Sequence, residues 1–201
     1  MLRKAHNNGE SMAENSSQPD PSQRRLAAER FLAEVEQRAL RMAVMATRQR
    51  DESLDIVQDT MLAWVSHYLG HPQEAWKPLF YKVLQSRIRD WQRRAMVRRR
   101  VMAWFGRHDY DGEDYFDGLD LIADPHAADP ASAVAQRQAL EKLLHALQRL
   151  PLRQQQAFML RSWEGLDVAE TALAMGCSTG SVKTHLSRAM TSLRTSMGDT
   201  L

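Results

Sequence analysis

The clearest alternation of apolar and polar positions lies near the end of the chain. Apolar residues recur there every three or four positions, which predicts a helix from about Thr179 to Leu193 with one buried stripe. The stripe consists of Val182, Leu186, Ala189 and Leu193. The opposite face carries Lys183, Thr184, Ser187 and Arg188. Short hydrogen-bonding side chains and cations suit base edges and phosphates, so this face is a candidate DNA contact.

A shorter helix is predicted just upstream, from Asp167 to Met175, and the two helices are joined by a three-residue turn. Its apolar stripe is expected to be Val168, Ala169, Ala172 and Leu173. Gly176 suits a left-handed helix end, and Ser178 suits an N-cap that precedes Thr179. The pattern is that of a helix-turn-helix, whose second helix enters the DNA major groove. An ordinary helical hairpin with a solvated polar face is the alternative.

The rest of the chain is also helical by periodicity, apart from its N-terminal tail and one internal segment. Further helices are predicted over 24–47, 54–68, 132–150 and 152–163, and the basic stretch 75–107 is also interpreted as helical. In the second of these, Ser53 is a candidate N-cap. Its buried stripe is expected to be Leu54, Val57, Met61, Trp64 and Val65. Asp55, Gln58 and Asp59 then share an exposed face, which is either simply solvated or available to a basic partner helix.

Charge is distributed unevenly although the net charge is only +2. Residues 76–107 hold ten Lys and Arg against the single acid Asp90, and residues 105–135 hold eight acids against the single cation Arg107. Aromatic residues are interleaved with the cations of the basic stretch. Aromatic faces can stack unpaired bases, at about 1–3 kcal/mol each, while cations follow phosphates. The stretch is therefore a candidate single-strand surface, or else a helix with core aromatics and solvated arginines.

These features predict an all-α fold of two small helical domains joined by a flexible acidic linker, the second domain containing the helix-turn-helix. The expected boundaries are 1–23 for a disordered tail, 24–104 for the first domain, 105–133 for the linker and 134–201 for the second domain. Either Met1 or Met12 is a possible start.

Several classes of function find no support in the sequence. There is no phosphate-binding glycine loop and no nucleophile elbow, so no enzyme and no cofactor are predicted. His67 and His71 lack further ligands, and no metal is expected. The single cysteine, Cys177, is interpreted as a packing residue in the turn. No run of 18 apolar residues is present, which predicts a cytoplasmic protein without membrane insertion.

Taken in order, the motifs resemble bacterial RNA polymerase sigma factors of the extracytoplasmic function (ECF) group, over about 29–100 and 141–194. In the first part the resemblance is carried by residues 55–60 (DIVQDT), 63–64 (AW), 80–83 (FYKV) and 90–94 (DWQRR). In the second it is carried by residues 150–154 (LPLRQ), 158–161 (FMLR), 164–166 (EGL), 169–172 (AETA) and 176–189 (GCSTGSVKTHLSRA).

The resemblance implies that the chain binds core RNA polymerase and promoter DNA and directs transcription initiation. It implies core-polymerase binding by Asp55, Gln58 and Asp59. It implies contact with the opened −10 strand by Trp76, Lys77, Tyr81, Lys82, Gln85, Arg87, Arg93 and Arg94. It implies −35 recognition by Ser178, Thr179, Lys183, Thr184, Ser187 and Arg188. An anti-sigma factor, a partner that the family commonly uses, is a further expected partner.

Two other functions are compatible with the same helices. One is a helix-turn-helix regulator that binds duplex DNA on its own, which would leave the basic-aromatic helix without a role. The other is an adaptor that binds proteins through both helical domains.

Overall fold

The computed structural model describes residues 20–104 and 130–198, without the side chains of residues 102, 103 and 130–136. The helices in chain order are α1 (Pro21–Thr47), α2 (Arg50–Tyr68), α3 (Trp76–Trp104), α4 (Pro130–Arg149), α5 (Leu152–Phe158), α6 (Val168–Met175) and α7 (Thr179–Met197). A 3-10 turn, Gln73–Ala75, precedes α3, and a π-helical segment, Met159–Trp163, continues α5. The regular structure of the described residues is entirely helical, which confirms the predicted all-α class.

Helix α1 begins inside the predicted N-terminal tail, three residues before Arg24. The side chain of Asp20 accepts a hydrogen bond from the backbone N–H of Ser22, and Pro21 occupies the first helical position, where its missing N–H costs nothing. At the other end Arg48 adopts a left-handed conformation (φ 61°), and its N–H donates to the carbonyl of Val44. The helix is thus bounded by local chemistry at both ends.

The predicted N-cap of α2 is wrong, because the helix begins at Arg50 and Ser53 lies within its first turn. Ser53 is fully buried, its hydroxyl donates to the carbonyl of Gln49 at 2.6 Å, and it lies 2.7 Å from the hydroxyl of Thr47. The backbone N–H of Gln49 donates to the same Thr47 hydroxyl. This network satisfies the polar groups between α1 and α2 and lets α2 start earlier.

The buried stripe of α2 also differs from the predicted one. Ile56, Val57, Thr60 and Trp64 face the core, whereas Leu54 and Val65 are exposed. The hydroxyl of Thr60 donates to the carbonyl of Ile56, so this buried polar side chain is satisfied within the helix. The true stripe contains a threonine, which a search for apolar positions alone passes over.

An aromatic cluster fixes α3 against α1 and α2. The ring of Phe31 lies 5.0 Å from that of Trp64, 5.7 Å from that of Trp76 and 5.9 Å from that of Phe80, measured between centroids. The indole N–H of Trp76 donates to the carbonyl of His71 at 2.8 Å. Buried aromatic pairs at these distances contribute beyond their area alone. The first turn of α3 is therefore part of the core.

The helix-turn-helix is formed by α6 and α7, as predicted. Asp167 and Glu170 cap α6 reciprocally, each accepting from the other's backbone N–H at 2.7 Å. Gly176 ends α6 in the left-handed region (φ 62°, ψ 48°). The hydroxyl of Ser178 accepts from the N–H of Ser181 at the start of α7. These caps confirm the roles expected of Gly176 and Ser178.

The two faces of the motif agree with the sequence only in part. Val182, Ala189 and Leu193 of α7 are buried and Leu186 is half-buried, in line with the predicted stripe. In α6 the buried residues are Thr171, Ala172, Ala174 and Met175. The predicted stripe residues Ala169 and Leu173 are instead exposed.

The first half of the molecule (residues 20–104) packs against the second half (residues 130–198). Helix α3 lies against α1 and α2 and also against α6, and α1 touches α4. The buried apolar side chains of both halves form one continuous cluster.

Residues 1–19 and 105–129, which hold most of the predicted tail and linker, lie outside the described residues. Helix α4 begins at Pro130, so residues 130–133 of the predicted linker are helical. No helix of the described ranges is long and apolar enough to cross a bilayer.

Candidate nucleic-acid interface

The outer face of α7 presents the residues predicted for −35 recognition. Lys183, Thr184, Ser187 and Arg188 are exposed together with Ser178 and Thr179 at the start of the helix. Two of their hydroxyls already have partners: Thr184 donates to the carbonyl of Gly180, and Ser178 caps the helix. The cations Lys183 and Arg188 are thus the extended groups of this surface. A helix with this face can lie in a major groove, where cations meet phosphates and base edges.

The residues predicted to bind core polymerase share an exposed face of α2. Asp55, Gln58 and Asp59 are all exposed, and Leu62, which is 68% exposed, lies further along the helix. Asp59 accepts a hydrogen bond from the guanidinium of Arg87 at 3.0 Å. Asp59 is exposed and Arg87 is half-buried, so solvent screens the pair and it adds little stability. The face combines acidic, amide and apolar groups, which is a composition that suits a protein partner.

The residues predicted for the −10 strand divide into three groups. Lys82, Arg93 and Arg94 are exposed, Lys77 and Arg87 are half-buried, and Trp76, Tyr81 and Gln85 are buried. The structure thus leaves part of the predicted surface accessible and covers the rest.

Two of the buried residues belong to the core of the first half, which corrects their predicted exposure. Trp76 is 2% exposed within the aromatic cluster. Gln85 is fully buried, and its amide N–H lies 2.7 Å from the sulfur of Met42. The sequence does not reveal this burial, because aromatic and amide side chains serve equally as core residues and as base-stacking residues.

Tyr81 is buried for a different reason, because it faces the second half. Its surroundings include the carboxylate of Glu164, the residue that follows the π-helical segment. Burial raises the pKa of Tyr81 well above its ordinary value, and the negative charge of Glu164 raises it further. The phenol hydroxyl and Oε2 of Glu164 are both buried atoms without a hydrogen-bond partner. Tyr81 is therefore neutral at this junction.

Glu164 is the polar centre of the contact between the halves. Only 4% of it is exposed, and its Oε2 lies 3.8 Å from Nζ of Lys77 and 3.9 Å from Nη1 of Arg38. Lys77 also donates to the backbone carbonyl of Glu164. Burial alone would lower the pKa of Arg38, but its hydrogen bond with Glu34 and the charge of Glu164 leave it raised. A carboxylate from the second half is thus held by two cations of the first.

A second polar contact lies at the C-terminal end of α6. The carbonyl of Met175, the last residue of that helix, accepts from Arg89 of α3 at 3.3 Å and from Arg153 of α5 at 2.7 Å. Helix C-termini carry partial negative charge, which favours guanidinium groups there. Burial lowers the pKa of Arg89, and the charge of Arg153 lowers it further. Two cations therefore share this helix end.

Two backbone carbonyls complete the contact between the halves. Arg48 donates to the carbonyl of Gln148 at 3.3 Å, and Gln155 donates to the carbonyl of Met45 at 3.5 Å.

A cavity of about 310 Å³ lies beside Glu164, lined by Arg38, Arg41, Leu140, Leu143, Ser162, Trp163 and Glu164 itself. Within residues 20–104 and 130–198, no three His, Cys, Asp or Glu side chains are grouped closely enough to hold a metal.

Sequence reasoning missed Glu164 and Arg38 as functional candidates. In the sequence, Glu164 is part of the motif at residues 164–166, and Arg38 is one of several cations in the segment that forms α1. Their pairing joins positions more than a hundred residues apart, and no local pattern reports such a contact.

Comparison with known proteins shows which proteins this chain resembles. Residues 140–193 match the model of sigma-70, region 4. The chain is 28% identical, over 140 residues, to the RNA polymerase sigma factor NccH of Alcaligenes xylosoxydans xylosoxydans, a match that covers 69% of each protein.

Two solved structures share the fold. The sigma factor RpoE, in complex with the anti-sigma factor NepR from Bartonella quintana, matches with a TM-score of 0.56 at 23% identity, covering 84% of this chain and 97% of RpoE. CnrH, in complex with the cytosolic domain of CnrY, matches with a TM-score of 0.51 at 18% identity, covering 87% and 92%. Residues 140–193 are thus a sigma-70 region 4, and the chain as a whole is similar to RNA polymerase sigma factors in sequence and in fold. None of the comparisons supports a regulator that binds duplex DNA unaided.

Trp76 and Trp104 are a matched pair for testing the assignment of Trp76 to the core. We expect Trp76→Ala to lower the free energy of unfolding by about 3–5 kcal/mol, because a buried ring is removed. Trp104 is 89% exposed at the end of α3, and Trp104→Ala should change stability by less than about 0.5 kcal/mol. Urea unfolding of the full chain measures both. If the two variants were equally stable, the assignment of Trp76 to the core would be wrong, and its predicted contact with the −10 strand would stand.

Proposed function

We propose that the chain holds a promoter at two points while bound to core RNA polymerase. The second half would read the −35 element as duplex, and the first half would dock on polymerase and hold the opened −10 strand. The match of residues 140–193 to sigma-70 region 4, together with the exposed polar face of α7, carries this proposal. The corresponding domains would be those predicted from the sequence, 24–104 and 134–201, with the acidic linker 105–133 shortened by the first turn of α4.

For the −35 element we propose that different residues of α7 contact bases and phosphates. Lys183 and Arg188 are exposed cations on its outer face, and Arg188 can form two parallel hydrogen bonds to one guanine. Ser178 and Thr179 lie at the N-terminal end of α7, where backbone N–H groups favour a phosphate. Thr184 and Ser187 complete the surface, with short side chains that permit a close approach.

For the −10 strand we propose contact by Lys77, Tyr81, Lys82, Arg87, Arg93 and Arg94. Three of these are exposed as the molecule stands, whereas Lys77 and Tyr81 face Glu164. Trp76 and Gln85 support this surface from the core instead of touching DNA. Tyr81 would stack on a base once uncovered, since every base offers a flat face to an aromatic ring.

We propose further that the chain has no catalytic activity of its own and needs no cofactor, because the chemistry of transcription belongs to the polymerase. Its place of action is then the cytoplasm, where the polymerase and the chromosome are. RpoE, which shares the fold, was solved with the anti-sigma factor NepR. By analogy we propose an anti-sigma factor as a regulatory partner of this chain.

Reconstituted transcription tests the function as a whole. Purified core polymerase with the full chain should produce defined transcripts from a library of genomic fragments of the source organism, and core polymerase alone should not. A regulator that binds duplex DNA unaided would instead retain tight operator binding without polymerase, with a steep dependence on salt. Absence of any transcript that depends on this chain would overturn the proposal.

Arg188→Ala should weaken binding of the reconstituted holoenzyme to a promoter found in that assay. We expect a loss of about 1–3 kcal/mol if Arg188 reads a base with two hydrogen bonds. Arg194→Ala is the matched control, because it removes an equal charge from an exposed position nearer the end of the same helix. Fluorescence anisotropy on promoter fragments with altered −35 bases separates base reading from general attraction. Equal losses for both variants would remove Arg188 from the base-reading face.

Asp55→Ala should impair assembly with core polymerase. We expect binding to core enzyme at least about tenfold weaker, which equals about 1.4 kcal/mol. Glu36→Ala, which removes an exposed acid from α1, is the control and should bind as the wild type does. Titration of core polymerase with fluorescently labelled chain measures both affinities. Unchanged assembly of the Asp55 variant would refute the docking face on α2.

A further inference from the structure

The cavity of about 310 Å³ beside Glu164 has no role in the function proposed above. Arg38 and Arg41 of α1 line it, three residues apart and so on one side of that helix. Leu140 and Leu143 line it from α4 with the same spacing. Its volume lies at the lower end of the range of small-molecule sites in proteins.

The rest of the lining comes from an uncommon backbone conformation. Ser162 and Trp163 are the last two residues of the π-helical segment, and Glu164 follows it. The N–H of Glu164 donates to the carbonyl of Met159, five residues earlier, so this turn is wider than an α-helical turn. Such turns are rare and occur frequently at functional sites. The wide turn brings a half-buried indole and a buried carboxylate to the same cavity.

The charged groups of the cavity are not all matched within the molecule. Arg38 pairs with Glu34 at 2.5 Å and approaches Glu164 at 3.9 Å, so its charge is already compensated. Arg41 is half-buried, and its Nε donates to the backbone carbonyl of Gln37 at 3.3 Å. Among the residues that the structure describes, no acid forms an ion pair with Arg41. Its planar set of N–H groups is thus left for an anion from outside the chain.

A cation and an apolar wall therefore meet in one cavity. Leu140, Leu143 and Trp163 supply the apolar part, and Arg41 supplies the charge. A carboxylate accepts two parallel hydrogen bonds from a guanidinium, and an apolar body gains free energy by leaving water. The carboxylate of Glu164 lies in the same lining and repels anions, so a single negative charge is favoured over the double charge of a phosphate monoester.

We propose that this cavity is a binding site for a small monocarboxylate with an apolar body. The carboxylate pairs with Arg41, and the body lies against Leu140, Leu143 and Trp163. The inference does not rest on the proposed function. Because the lining comes from both halves of the molecule, an occupant stabilises the arrangement in which they are packed, in proportion to its own affinity. The site gives the chain a means of responding to a small molecule.

Phenylbutyrate is a suitable probe, because it joins a carboxylate to a phenyl ring through a short chain. The full chain labelled with fluorotryptophan gives one fluorine resonance for each of its five tryptophans, and Trp163→Phe identifies that of Trp163. We expect the probe to shift the Trp163 resonance saturably in fluorine NMR. The resonance of Trp104, which is 89% exposed at the end of α3, should stay in place.

Arg41→Gln removes the proposed partner of the carboxylate. We expect it to weaken probe binding about tenfold or more, because a charge-assisted pair is lost. Arg30→Gln takes an equal charge from an exposed position of the same helix and should bind the probe within about twofold of wild type. Arg41→Lys keeps the charge without the planar set of donors and should have an intermediate affinity. Circular dichroism verifies that each variant is folded.

Phenylbutyramide, the neutral relative of the probe, separates the contribution of the charge from that of the apolar body. It should bind the wild-type chain at least about tenfold more weakly than phenylbutyrate. Equal binding of the acid and the amide, or equal affinity of the wild type and Arg41→Gln for phenylbutyrate, would overturn the pairing with Arg41. A Trp163 resonance that stays in place up to the solubility limit of the probe would overturn the site itself.

Discussion

A buried carboxylate must have partners of opposite charge, and Glu164 meets that requirement only by joining the two halves of the molecule. Among the described residues, Glu164 forms its ion pairs with Arg38 of α1 and Lys77 of α3. Burial of an unpaired charge costs several kcal/mol, so the position of Glu164 depends on the halves being together. The pairing ties the segment that leads into α6 to α1 and α3, next to the packing of α3 against α6.

Helix α3 is held from two sides, and this explains why its residues have divergent roles. On one side Trp76 enters the aromatic cluster with Phe31 and Trp64, so the helix is fixed within the first half whatever the second half does. On the other side Lys77 and Tyr81 meet the second half. The first contact sets the position of the helix, and the second determines which of its side chains are accessible.

The helices and the helix-turn-helix were predictable because local patterns encode them. Gly176 and Ser178 indicate a turn between two amphipathic segments. The caps formed there depend on adjacent residues alone. The start of α2 was missed because Thr47 and Ser53 pair with each other across the turn, which a cap rule applied to one residue does not detect. The burial of Tyr81 and the role of Glu164 depend on tertiary packing between distant segments. Periodicity carries no information about such contacts.

The polar contacts between the halves are individually weak, and they lie beside a continuous apolar cluster. The ion-pair distances of Glu164 are long, at 3.8 and 3.9 Å, and about a third of the side chains of Lys77 and Arg38 is exposed. The hydroxyl of Tyr81 is buried beside the carboxylate of Glu164, so both groups belong to one polar junction. The apolar cluster that runs through both halves therefore contributes most of the contact between them, and the ion pairs of Glu164 add to it.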